Sequence, residues 1–249
     1  MNKDIMKNIV LQSLLWLSVL TTTHAWAGCD KTLQQLSADY HIITDKPQGK
    51  SITQSLQLVR DQNTVMHRYP ATQITESWYL TQHELIKPTR YFDAYQRAIE
   101  YQPAEKVHGK FESDWGYRYQ LVSDKLFSQL TLLNESGEGC MQLQEFSLTT
   151  ANKNIELLWL PALKLVKSFK ITTPQMSQHW TLQHIDYDVQ KINALRTTLD
   201  TYQATDFADI GDDHSDPFLT KMVTLGFIEH GASGFYNSEG AALEGQHQH

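Results

Sequence analysis

The chain has 249 residues, 41% of them apolar and 20% charged, a globular balance that excludes disorder along its whole length. Lys and Arg number 21 against 28 Asp and Glu, for a net charge of −7. That balance argues against nucleic acid or an anionic lipid surface as partner, since both select a basic face.

Residues 1–27 read as an export signal. Lys3 and Lys7 form a basic start, Ile9–Leu20 is an apolar run broken by Gln12 and Ser13, and Ala25-Trp26-Ala27 has the small-x-small pattern of a cleavage site. The run is shorter than the ~20 residues a spanning helix needs, and no later stretch is long and apolar enough to form an integral membrane segment. The expected location is therefore the periplasm. Two alternatives stay open: an uncleaved N-terminal anchor, and lipidation of Cys29. Against the second, Trp26 stands where a lipobox places Leu or another aliphatic residue. Cys29 and Cys140 are the only cysteines. In an oxidising compartment such a pair is expected to bond, closing a loop of about 110 residues and stabilising by about 4 kcal/mol. Lipidation of Cys29 would preclude that bond.

Residues 28–230 read as one β-rich domain and 231–249 as a flexible tail. Leu33, Leu36 and Tyr40 stand at helical spacing, which predicts a short helix over 30–40. The period then changes to two. Stretches 55–60 and 64–69 flank the turn cluster Asp61-Gln62-Asn63 and predict a hairpin, followed by a strand at 74–80. Segment 91–101 fits a helix face or two strands turning at 93–96; strands are preferred because Pro88 and Pro103 bracket it. Tyr117, Tyr119 and Leu121 alternate as a strand would. Ser123 is placed to cap a helix over 123–133, with Leu126, Phe127, Leu130 and Leu133 as its buried stripe. Strands follow at 141–148, 155–160, 163–171 and 179–187, with Pro161 bending the chain. Val189, Ile192, Leu195 and Leu199 mark a helix. A last helix is predicted from Ser215-Asp216-Pro217, capped by Ser215, to Gly226.

Seven or eight closely spaced strands with a few short helices predict an α+β, β-rich fold, a curved antiparallel sheet in barrel-like or open half-barrel form. That architecture is similar to the periplasmic lipoprotein carriers in element order and composition. No motif accompanies the likeness, and it transfers no site residue.

The densest local chemistry is 206–218, where five carboxylates and His214 fall close together. Such a loop can hold Ca²⁺, but the glycine and closing Glu of an EF-hand are not in place. The competing reading is an acidic loop leading into a helix N-terminus, with Phe207 and Ile210 turned inward and the carboxylates outward. Asp209, Asp213 and His214 are the candidate metal-holding or acid/base groups. The string Asp-Phe-Ala-Asp-Ile-Gly-Asp followed by Ser-Asp-Pro-Phe resembles a segment of exported proteobacterial proteins of unknown function, and that resemblance implies no activity. His247 and His249, with His230, could hold Cu²⁺ or Zn²⁺ weakly. His179 and His184 are expected to satisfy local hydrogen bonds. Trp78, Trp115, Trp159 and Trp180 either line a groove or fill the core. There is no G-x-S-x-G; the nearest string, around Ser233, has its first glycine one place too far away. No residue is assigned as catalytic, and no cofactor is implied.

Three functions stand after this reading. The first is a non-catalytic periplasmic binding, carrier or accessory protein for an apolar ligand or an envelope partner. The second is an envelope hydrolase using Asp209, Asp213 and His214. The third is a metal-handling accessory protein.

Overall fold

The computed structural model describes residues 29, 31–105, 112–210 and 216–224. They form one open, curved sheet of twelve strands with a few short helices, the β-rich architecture expected from the strand spacing. The strands are β1 (Gln35–Asp45), β2 (Ile52–Asp61), β3 (Thr64–Tyr69), β4 (Ile74–Leu80), β5 (Ile86–Phe92), β6 (Arg97–Glu100), β7 (Thr131–Ser136), β8 (Leu143–Thr149), β9 (Asn154–Leu160), β10 (Leu165–Thr172), β11 (Ser177–Asp186) and β12 (Gln203–Asp206). Their order is β12-β6-β5-β4-β3-β2-β1-β11-β10-β9-β8-β7. Neighbours are antiparallel except β12, which runs parallel to β6. The long β1 joins the two halves by pairing β2 on one side and β11 on the other.

The curl of the sheet lets a side chain reach over an intervening strand. Tyr40 on β1 passes over β11 and donates its hydroxyl to the carbonyl of Val166 on β10 at 3.0 Å. In a flat sheet two strand intervals span ~10 Å, beyond a tyrosine's reach. A register shift in the β9–β10 pairing falls just after Val166, between it and Ser168.

The inner face carries two apolar clusters. The larger takes Leu36, Tyr40 and Ile42 from β1, Leu56 and Leu58 from β2, and Ile155, Leu157, Phe169 and Trp180 from the other half. Between two short helices, α1 (Trp115–Gln120) and α2 (Asp124–Phe127), Leu121 and Val122 insert into it, and α2 adds Leu126. The smaller joins Ile74, Phe92, Ile99 and Tyr101 to Phe218, Leu219 and Met222 of helix α4 (Pro217–Thr224). On the outer face, helix α3 (Val189–Leu199) packs Ile192 and Leu199 on Val59 and Met66.

Four local expectations are corrected. Residues 35–45 form a strand, not a helix: Leu36, Ala38, Tyr40 and Ile42 are buried at every second position, and Leu33 precedes the strand. Residues 115–120 form a helix, not a strand. The Asp114 carboxylate accepts from Tyr117 N at 2.8 Å, and Leu121 ends the turn with φ 64°. The helix predicted over 123–133 stops at Phe127. Ser123 caps it as expected, but Leu133 lies on the exposed edge strand β7. Pro88, taken as a boundary, lies within β5 opposite Trp78. At α4 the cap is Asp216, whose Oδ1 accepts from Phe218 N at 2.7 Å and Leu219 N at 3.3 Å, with Pro217 as the first helical residue. Ser215 and Gly226 lie outside the described residues.

Candidate functional site

The hollow of a half-barrel is the natural place for a ligand, and here α1 and α2 occupy it. Together with the segment joining them, these helices form a plug. Its apolar residues meet the inner face, with Phe127 set edge-on to Phe146 and Trp159 at ring separations of 5.1 and 5.0 Å.

Polar side chains rising from the sheet hold the plug. Arg60, at the end of β2, is fully buried. Its Nε donates to the Tyr119 carbonyl at 2.9 Å, and its two terminal nitrogens donate to the carbonyls of Leu163 at 2.7 Å and Lys164 at 2.5 Å. The guanidinium also lies 4.0 Å from the centre of the Tyr119 ring. One side chain of β2 thus ties α1 to the β9–β10 turn. Among the described residues its acceptors are all uncharged, and burial lowers its pKa to about 10.

On the next strand, His67 Nε2 is 2.8 Å from the Arg118 carbonyl, so the neutral ring donates to the plug from that nitrogen. Burial, reinforced by the Arg118 charge, depresses the His67 pKa to about 3. His67, Glu76 and Arg90 stand opposite one another on β3, β4 and β5. Glu76 and Arg90 are paired at 2.6 Å. Arg118 lies over the Trp78 ring at 4.1 Å and pairs with Glu112 at 2.6 Å. This charged band separates the two apolar clusters.

Beside the plug a crevice of about 650 Å³ opens between residues 32–34, the start of α1, Tyr119 and Lys164. It borders two of the three carbonyls that Arg60 holds. A depression of about 580 Å³ is lined by outer-face residues including Asp39, His41, Gln57 and Arg68. There Gln57 bridges Asp39 and Arg68 at 2.9 and 2.8 Å.

The residues singled out from sequence do not assemble beside this site. Asp209 is exposed on a 3-10 turn over Phe207–Asp209, and the turn is capped by Asp206, which accepts from Ala208 N at 3.1 Å. Phe207 and Ile210 pack against the smaller cluster. Asp213 and His214 lie outside the described residues, as do His230, Ser233, His247 and His249. Among the described residues no three His, Cys, Asp or Glu side chains are grouped to hold a metal. His179 bonds the Ser168 hydroxyl at 2.9 Å. Trp78, Trp159 and Trp180 are buried core, and Trp115 alone of the four borders the crevice. Cys29 and Cys140 are bonded, with sulfurs 2.05 Å apart, which ties residue 29, ahead of β1, to the turn between β7 and β8. No helix among the described residues is long and apolar enough to cross a membrane.

Arg60 and His67 were not anticipated. The signal available was a polar residue at an inward position of an alternating strand, where Leu56 and Leu58 predict another apolar side chain.

No family model and no curated protein matches this chain. Among solved structures it is similar to an outer-membrane lipoprotein-sorting protein domain from Vibrio parahaemolyticus, at 9% identity and TM-score 0.34 over 68% of this chain and 93% of that one. It is also similar to a LolA-superfamily protein from Nitrosomonas europaea, at 8% identity and TM-score 0.25 over 63% and 87%. A third is the MucA/MucB complex of Pseudomonas aeruginosa, at 10% identity and TM-score 0.29 over 62% and 52%. Likeness at this level brings no ligand, partner or activity to the chain.

Proposed function

We propose that the protein is an exported, periplasmic, non-catalytic carrier whose hollow takes an apolar ligand or the apolar tail of an envelope partner. The observation that carries this reading is how the inner face is closed. A twelve-stranded sheet curls around the larger apolar cluster, and a plug built of a six-residue and a four-residue helix packs on that face. Helices this short have no stability of their own and persist only through the face they bury. An acyl chain laid along Tyr40, Leu56, Leu58 and Leu157 replaces the contacts of Leu121, Val122 and Leu126 with contacts of the same kind. Loading then trades apolar contacts for apolar contacts, against the loss of the bonds from Arg60 and His67 to α1.

Native mass spectrometry of protein purified from periplasm tests the reading. The expected result is a mature chain beginning at Gly28 that carries a stoichiometric lipid-sized adduct, or that acquires one from added acyl ligand. Protein that neither retains nor takes up an apolar molecule overturns it.

A further inference from the structure

The charge on Arg60 is more than the plugged state needs. Holding three backbone carbonyls requires only neutral donors, yet β2 places a positive charge at zero exposure beside the larger apolar cluster. Among the described residues no carboxylate is paired with it, whereas Arg90 has Glu76 and Arg118 has Glu112. A buried guanidinium without a counter-ion is a poor structural choice and a good anion receptor, because its planar fork matches a carboxylate or phosphate. Its position suits that role. Tyr119 and Lys164, whose carbonyls it holds, both line the 650 Å³ crevice, so lifting α1 opens a path from the crevice to the guanidinium behind them. Exposed Lys164 adds a second positive charge at the rim. The crevice also holds two carboxylates, Asp114 and Asp124, which accept from Tyr117 N and Gln120 Nε2 at 2.8 Å each and keep their negative charge, so the head must sit on the Arg60 and Lys164 side.

We propose that the ligand of the hollow is an amphiphile with one anionic head, a carboxylate or a phosphate, and that Arg60 takes this head in place of the Tyr119 carbonyl when the plug lifts. The tail then lies on Tyr40, Leu56 and Leu58, and the head sits at the crevice. This inference rests on the carrier reading and narrows its ligand.

The test titrates the mature, oxidised protein at pH 8 with a fluorescent long-chain polyene fatty acid and with the alcohol of the same chain. A third arm adds inorganic phosphate as competitor to the bound acid. The acid is expected to bind about tenfold or more tighter than the alcohol, the worth of a charge-assisted pair, with millimolar phosphate displacing little of it. In Arg60→Gln the acid should fall to the affinity of the alcohol, while Arg60→Lys keeps part of the preference. Equal binding of acid and alcohol by the parent overturns the anionic head and leaves the carrier reading standing; this comparison needs no variant to fold. A preference that survives in Arg60→Gln overturns the role of Arg60. Displacement by phosphate alone assigns the subsite to free anions and overturns the amphiphile. Binding of neither chain overturns the carrier reading and this inference with it.

Discussion

Arg60 grips Tyr119 twice, donating to its backbone carbonyl at 2.9 Å and lying 4.0 Å from the centre of its ring. Backbone and side chain of one plug residue are thus held by one residue of the sheet, 59 positions earlier in the chain. The plug therefore has a defined attachment point, and changes there should affect stability as well as ligand uptake.

Arg60→Ala leaves the carbonyls of Tyr119, Leu163 and Lys164 without their donor and opens a void beneath the Tyr119 ring. The expected cost is about 3–5 kcal/mol, that of breaking a buried charged network on one side. Urea unfolding of parent and variant measures it. A loss under ~1 kcal/mol, within the range of ordinary surface substitutions, contradicts the assignment.

His67 makes stability depend on pH in a defined window. Its folded pKa is depressed to about 3, so it stays neutral in the native state while the unfolded chain takes up a proton below about 6.5. The stabilisation is complete above pH ~6.5 and is lost as pH falls from there towards 3, at up to ~1.4 kcal/mol per pH unit. In His67→Gln, whose amide can still donate to the Arg118 carbonyl, that part of the slope should vanish. Parallel pH profiles for parent and variant would show that His67 is not the group involved.

Several sheet strands were legible in sequence, and the plug was not. Alternation over 55–80 predicts β2, β3 and β4 because β-forming residues recur with period two around tight turns, although β3 and β4 are buried on both faces, the outer one under α3. Helix α3 was legible because Val189, Ile192, Leu195 and Leu199 repeat with the helical period over a full eleven residues. Residues 30–40 misled because Leu33, Leu36 and Tyr40 satisfy a helical spacing by coincidence, while the period-two set from Leu36 to Ile42 extends past the window. Tyr117, Tyr119 and Leu121 misled in the opposite sense, and the deciding feature was Asp114 as a cap. The role of Arg60 could not be read locally, because its acceptors lie 59, 103 and 104 residues away and only the curl of the sheet brings them together.

At the other end of the hollow, Phe218 is buried between Phe92 and Tyr95, with ring separations of 5.2 and 5.4 Å, and under Arg97 at 4.7 Å. Phe218→Ala should cost about 3–5 kcal/mol. The carboxyl of Asp216, held below the ordinary carboxylate range by its bond to Arg97 at 2.6 Å, keeps α4 docked above pH ~3.9. That contribution is lost as the pH falls through its lowered folded value, and Asp216→Asn removes the dependence. Protection factors at Phe218 and Leu219, corrected for the intrinsic pH dependence of exchange, measure it across an acid titration, and protection that ignores both pH and the variant contradicts it.

The Cys29–Cys140 bond closes a span of 111 residues. Free-thiol labelling of denatured, unreduced protein should find none. Cys29→Ser with Cys140→Ser should lose about 2–4 kcal/mol. Two free thiols, or a double variant as stable as the parent, would refute the bond's structural role.

The central claim is that ligand and plug compete for one apolar face, and hydrogen–deuterium exchange with and without a bound acyl ligand tests it most directly. In the free protein the amides of Leu121 and Phe127 are bonded to the carbonyls of Tyr117 and Ser123 at 2.8 and 2.9 Å. With ligand bound, residues 115–127 should lose protection, while β1 and β2 keep theirs or gain it. A bound ligand that leaves exchange in 115–127 unchanged would show that the plug is permanent core and that the ligand sits elsewhere.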